Sequence, residues 1–171
     1  MMNEYFEADK KRYEKLSGDL RKFHYYLRRV QATHNRILKY WYKIHFYMVK
    51  SKYGLEISSE TNIGKGLYIG HPYNITINRN AIIGENCNIH KGAVIGQENR
   101  GLRKGTPIIG NKVWIGINAA IVGNITIGDD VMIAPNSYVN CDVPSHSVVF
   151  GNPCIIKHKD NATENYINRT I

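Results

Sequence analysis

Branched aliphatic residues recur along this chain at intervals of six: Ile57, Ile63, Ile69 and Ile75, then Ile83, Ile89 and Ile95, then Ile109, Ile115, Ile121, Ile127, Ile133 and Val139. An α-helix repeats every ~3.6 residues and a half-buried strand about every two, so neither produces this period. Six residues make one short strand and one corner, and three such units close a triangular coil, the parallel β-helix. A second row, two residues before an aliphatic of the first, holds Thr61, Leu67, Ala81, Cys87, Ala93, Val113, Ala119, Ile125, Val131 and Ser137, small or apolar as a crowded corner requires. Glycine follows the aliphatic residue at Gly64, Gly70, Gly84, Gly96, Gly110, Gly116 and Gly128, which suits a sharp bend where a side chain would clash.

The frame breaks twice. The step from Ile75 to Ile83 is eight, which places two extra residues near 78–80. The step from Ile95 to Ile109 is fourteen, two more than two hexapeptides need, and residues 97–107 read as an extruded loop. Loops carried on a rigid scaffold are favoured places for binding and catalysis.

Before residue 53 the pattern changes. Residues 1–52 read as a basic, aromatic helical region, with a short helix ending near Gly18 and a longer one from about Asp19 to Lys50. Twelve of the 23 Lys and Arg fall within the first 50 residues of a chain whose net charge is +9. Two readings follow. Either the aromatic residues pack on the coil or a neighbouring subunit while the cations stay solvated, or the region meets an anionic glycan or the inner face of a membrane. No nucleic-acid module accompanies the charge, so nucleic acid is not an expected partner.

Residues 53–157 form the repeat domain, and the polar, Asn-rich residues 158–171 read as a surface tail. A length of 171 residues, 43% of them hydrophobic, suits one domain with an appendage. The three cysteines are odd in number and lack paired spacing. Cys87 falls on the small-residue row and reads as a buried thiol in a reducing compartment. No apolar run approaches the ~20 residues of a membrane span, and the first residues lack the apolar core of a signal peptide, so the expected location is the cytoplasm.

Candidate chemistry gathers around His71, two places after Ile69 and therefore pointing out of the coil near a corner. One coil is 18 residues and the first break adds two, which sets Lys91 above His71 with His90 beside it. Glu56 precedes His71 by 15 residues and falls within about one coil of it. A carboxylate bonded to one imidazole nitrogen fixes the tautomer and raises the basicity of the other, as a general base for a hydroxyl requires. A salt bridge from Glu56 to a lysine is the competing reading. Zinc needs three protein ligands around an open position, and only His71 and His90 are well placed, so no metal is expected.

The stretches Glu56–Ile57, His71 with 75–78, 89–96, 115–124 and 143–153 carry a family resemblance. Over 55–157 the chain resembles the hexapeptide-repeat acyltransferases, within them the serine acetyltransferase-like group that includes capsule and exopolysaccharide (colanic-acid-type) O-acetyltransferases. The resemblance implies a left-handed β-helix assembled as a homotrimer with active sites at the interfaces, and acetyl-CoA as co-substrate. It implies that His71 deprotonates the acceptor hydroxyl and that Glu56 orients it, at a position where serine acetyltransferases have Asp. Tyr73, His90, Lys91, Arg100 and Arg103 are the expected acceptor-binding residues. Gly116, Ile117, Asn118, Ala119, Ala134 and Pro135 would line the pantetheine groove, and Lys157 and Lys159 would meet the phosphates.

Two departures bear on the acceptor. Serine acetyltransferases resemble one another in having Asp before the catalytic His and Arg-His before the proline that ends the loop; this chain has Gly70 and Gly105-Thr106. Groups that would hold an ammonium and a carboxylate are therefore missing, and unpaired buried charge is costly. The expected acceptor is a saccharide hydroxyl of a capsule or exopolysaccharide unit, with L-serine or another small hydroxyl compound as the alternative. A non-catalytic trimeric scaffold is the further alternative.

Overall fold

The computed structural model describes residues 2–15 and 17–171. Three helices, α1 (Met2–Lys11), α2 (Gly18–Ala32) and α3 (Arg36–Ser51), lead into a parallel β-helix with three faces. Face A stacks β1 (Glu56–Ile57), β4 (Thr76–Ile77), β7 (Val94–Gly96), β10 (Ala120–Val122) and β13 (Tyr138–Val139). Face B stacks β2 (Asn62–Ile63), β5 (Ile82–Ile83), β8 (Ile108–Ile109) and β11 (Thr126–Ile127). Face C stacks β3 (Tyr68–Gly70), β6 (Asn88–His90), β9 (Trp114–Ile115), β12 (Val131–Ile133) and β14 (Ser147–Phe150), and β15 (Ile155–His158) closes it antiparallel to β14. Strands this short cannot stand alone, and each is held because its backbone groups bond to the coils before and after it.

The register confirms the six-residue row, moves the first break and enlarges the second. Ile57 pairs with Ile77, Ile63 with Ile83 and Ile69 with Ile89, so Ile77 and not Ile75 continues the strand row. Ile75 is buried on the small-residue row instead, its carbonyl accepting from Glu56 N at 2.9 Å as those of Ala93 and Ala119 do one and two coils on. The two extra residues therefore lie within 71–74, at the corner that carries His71, rather than near 78–80. Ile75-Thr76-Ile77 offers two aliphatic positions of the same parity, two residues apart, and the spacing alone does not choose between them. The second break is larger than expected. Ile95 and Ile109 lie on consecutive faces, and their pairing partners Ile121 and Ile127 are six residues apart. A step of six grows to fourteen, and eight residues are extruded.

Corners need backbone that turns back on itself, and the column leading into face A is built of Gly and Asn at positive φ. From face C to face A the column runs Gly54, Asn74, Gly92, Asn118 and Asn136, with φ of 61°, 53°, 72°, 57° and 59°. Asn tolerates this left-handed conformation because its short side chain finds local hydrogen bonds. Between faces B and C the glycine column has a steric cause: a Cβ on Gly64 would sit 2.6 Å from the Gly84 carbonyl carbon, and one on Gly84 2.4 Å from the Gly110 oxygen. The coils touch there through bare backbone.

The expected long second helix is interrupted. Thr33 ends α2 by donating both its N–H (3.1 Å) and its hydroxyl (2.6 Å) to the Arg29 carbonyl, and Asn35 starts α3 by accepting from Leu38 N at 3.1 Å. Cap residues, not propensity, set this break. Phe23, Leu27, Val30, Tyr42 and Phe46 join the core of the coil, as one reading of the aromatic region expects. Not all its cations are solvated, however. Arg28 is 2% exposed and donates to Asp9 and to the carbonyls of Ile63 and Gly64; Arg12 is 3% exposed and donates to Gly66 O and Asn88 Oδ1.

At the centre of this junction lies Asp9, wholly buried. Its carboxylate accepts from Arg28, from His24 Nδ1 at 3.2 Å and from Leu67 N at 2.9 Å. With Nδ1 donating, His24 Nε2 accepts from the Tyr13 hydroxyl at 3.0 Å, which in turn accepts from Ile69 N at 2.7 Å. Burial pulls the Asp9 carboxyl upward, but the hydrogen bond from His24 and the charge of Arg28 outweigh it and hold the group below its ordinary value.

The C-terminal segment lies on the surface, where hydrogen bonds tie it to the coil. Asp130 gathers it by accepting from Ala162 N, Thr163 N and the Thr163 hydroxyl, and Asn88 and Asn86 bond to the carbonyls of Tyr166 and Ile171. The segment runs along face C because the corner and strand side chains there offer hydrogen bonds that its own Asn-rich backbone meets. Burial pushes the Cys87 thiol up to about 12. Cys141 and Cys154 bring their sulfurs to 3.7 Å, a proximity that their sequence spacing does not reveal.

Candidate active site

His71 follows β3 at the inserted corner, exposed, in the left-handed region at φ 55°. The turn is closed by Tyr73 N on His71 O at 2.7 Å, and Asn74 N is held by Tyr53 O at 3.1 Å. A non-glycine residue at positive φ costs backbone energy and is kept where the surroundings impose it. Here the coil above imposes it: Lys91 N bonds to Gly70 O at 3.0 Å and Gly92 N to Tyr73 O at 3.0 Å. Lys91 thus stands over His71, as the count of residues per coil predicts, and Tyr73 is exposed with its ring edge-on to Tyr53 at 5.3 Å.

His90 lies opposite Gly70 in the ladder. Its Nδ1 donates to the Ile115 carbonyl at 3.0 Å, and its ring packs against Trp114 at 4.7 Å and Tyr68 at 6.3 Å. That leaves Nε2 as an acceptor. Burial holds this imidazole below its ordinary value, and nearby His71 adds to the effect against the pull of the Ile115 carbonyl. A Cβ on Gly70 would lie 2.4 Å from His90 Cδ2 and 2.6 Å from Nε2. The space where a side chain would precede His71 is filled by the His90 ring, so residue 70 is glycine for a steric reason. His90 also lines a cavity of about 160 Å³ with Arg12, Tyr68, Asn88, Tyr166 and Asn168.

Glu56 stands on β1 beside the same corner, exposed. Its Oε2 accepts from the Thr76 hydroxyl at 3.3 Å, and Lys50, which donates to Ile57 O at 3.1 Å, feels its charge. Among the described residues no hydrogen bond joins Glu56 to His71, and no ion pair joins Glu56 to a lysine. The two candidates share a corner without forming the pair that their spacing suggests.

The other expected residues divide between two corners. Lys91 O accepts from Asn118 N at 3.1 Å, and Ile117 O from Asn136 N at 2.9 Å, so Ile117, Asn118, Ala119, Ala134 and Pro135 continue the His71 corner coil by coil. At Gly116 a Cβ would meet Pro135 N at 2.6 Å, so the two coils approach there through bare backbone. Arg100 and Arg103 are exposed on the extruded loop, which leaves between faces A and B. Its base is a bridge of Glu98 with Gly105, and Arg103 O accepts from Asn124 N at 2.9 Å. Face A separates that loop from His71, so one chain does not gather Arg100 and Arg103 with His71, contrary to the expected convergence. Lys157 and Lys159 are exposed on and after β15, with Lys157 Nζ 5.8 Å from the Phe150 ring centroid. The aromatic pair that seats His90, Tyr68 and Trp114, was missed; both occupy one column of face C, a relation visible only once the register is known.

Residues 106–141 match the profile of the family described as bacterial transferase hexapeptide (six repeats). A serine acetyltransferase of Synechococcus elongatus is 37% identical over 100 residues, 58% of this chain and 41% of that protein. The chain thus spans less than half the length of this curated relative. The serine acetyltransferase of Neisseria gonorrhoeae in complex with serine is 27% identical, with TM-score 0.69 over 91% of this chain and 69% of that one. The serine acetyltransferase of Brucella abortus in complex with coenzyme A superposes with TM-score 0.74 at 23% identity over 93% and 67%, a likeness of fold. This chain is a parallel β-helix whose residues 106–141 are similar to the bacterial transferase hexapeptide family, and the relatives named above, to which it is similar in sequence, are serine acetyltransferases.

Proposed function

We propose that the chain is an acetyl-CoA-dependent O-acetyltransferase with His71 as general base, and that L-serine is its acceptor. The carrying observation is the inserted corner, which presents His71 outward under Lys91, at the start of the backbone column through Ile117–Asn118 and Ala134–Pro135. His71 takes the proton of the acceptor hydroxyl as its oxygen attacks the thioester carbonyl. The new C–O bond forms, the C–S bond breaks, and the departing sulfur receives the proton from His71. Glu56 orients the base once substrate draws the two together. The column of close backbone around Gly116 holds the pantetheine arm, and Lys157 and Lys159 offer cations for the phosphates. Acetyl-CoA use and serine as acceptor are supported by the similarity to serine acetyltransferases.

Because face A separates the loop from His71, a threefold assembly that lays the loop of one subunit over the His71 corner of the next completes the site with Arg100 and Arg103. A saccharide hydroxyl is the second reading, favoured by the His90 ring, which fills the space of any anchoring carboxylate at residue 70. Release of free CoA thiol with L-serine and a set of capsule-type oligosaccharides offered in parallel separates the two. Turnover of serine supports the first reading; turnover confined to saccharides replaces serine by a glycan. Silence with both overturns the transferase.

A further inference from the structure

The outward face of α3 carries a run of exposed large apolar side chains, and the transferase site does not use it. Tyr42 and Phe46 turn into the core, 8% and 3% exposed. On the opposite side Ile37 is 85% exposed, Tyr40 69%, Trp41 47%, Ile44 44%, Tyr47 66% and Met48 66%. These positions fall at three- and four-residue steps and form one stripe along the helix, which at 1.5 Å per residue is about 24 Å long. Packing against its own chain explains the buried side and reaches the stripe only at Trp41, whose ring meets Tyr26 of α2 edge-on at 6.3 Å.

Charge decides what fits it. The helix holds Arg36, Lys39, Lys43 and Lys50 and no Asp or Glu. Two copies of α3 laid stripe to stripe would set like charges against each other with no acid in either helix to offset them. An anionic surface removes that conflict. Tyr40, Trp41 and Tyr47 are also the residue types that settle at the boundary of headgroup and acyl chain, with an apolar body and a polar tip. No helix of the described residues is long and apolar enough to cross a membrane. A helix of this make-up lies in the plane of the interface, its apolar face sunk ~5–10 Å.

We infer that α3 docks the protein onto an anionic phospholipid bilayer through Ile37, Tyr40, Trp41, Ile44, Tyr47 and Met48, with Arg36 at the edge of the stripe meeting the headgroups. Lys50 ties this helix to Ile57 of the first coil, so docking fixes the coil that carries His71 relative to the surface. The inference stands apart from the acetyl-transfer reading and is tested without it.

The full chain is sedimented with vesicles of equal parts phosphatidylglycerol and phosphatidylcholine, and with vesicles of phosphatidylcholine alone. The expected result is partition into the pellet with the anionic vesicles, weakened by added salt, and at least about tenfold lower on the neutral ones. The double variant Ile44→Asp, Tyr47→Asp replaces exposed side chains; circular dichroism checks its fold, and its partition is expected to fall by about tenfold or more. Wild-type protein that stays in solution with anionic vesicles overturns the inference, as does a folded variant that pellets like wild type. A fall in the lipid-free mass of the variant by light scattering also overturns it, since the stripe would then be a contact between copies.

Discussion

His71→Asn is expected to leave the β-helix folded and to lower acetyl transfer by about 10²–10⁴-fold, the usual contribution of a positioned general base. Asn is the informative substitution because residue 71 sits at φ 55°, a conformation Asn adopts readily and Ala does not. The exposed side chain carries no core packing, so thermal stability should change little. Its proton-accepting nitrogen is lost while the turn held by Lys91 and Gly92 remains. Initial rates of CoA thiol release, read beside a thermal melt, check both halves. Retained turnover would remove His71 from the chemistry.

Asp9→Ala is expected to be the most damaging single change to stability. It leaves Arg28 buried without its carboxylate and breaks the hydrogen-bonded run from His24 through Tyr13 to Ile69, two residues before His71. Removing one partner of a buried ion pair costs about 3–5 kcal/mol, against a total stability of only ~5–15 kcal/mol for a typical domain. Denaturant titration should show the loss. The native protein carries the same dependence on pH. The folded Asp9 carboxyl lies below its ordinary value of 3.8, so its contribution is fully present above that value. It fades as pH falls below 3.8 through the lower folded value. In the Asp9→Ala variant this part of the acid dependence should be gone.

The period-six row made the coil and most of its buried face legible in the sequence, because inward positions of a solenoid admit few residue types. The placing of the first insertion was not legible. Ile75 and Ile77 are both aliphatic and both buried, and only the ladder shows that Ile77 pairs with Ile57, moving the extra residues to the His71 corner. Lys91 above His71 followed from counting, since either placement gives the same total. That the arginine loop and His71 leave the coil at different corners was not legible, because residue counting gives position along the coil axis more readily than the corner from which a loop departs. Burial of Arg12, Arg28 and Asp9 was hidden as well: charged residues on a helix read as solvated unless their partners, here carbonyls and a carboxylate distant in sequence, are known.

The central claim is that the column from His71 to Pro135 binds acetyl-CoA and moves its acetyl group to a hydroxyl. Its most direct test is free-thiol release by the purified full chain with acetyl-CoA, with and without acceptor. Acceptor-dependent release that disappears in His71→Asn is the predicted result; release that is absent, or that persists unchanged in His71→Asn, contradicts the account.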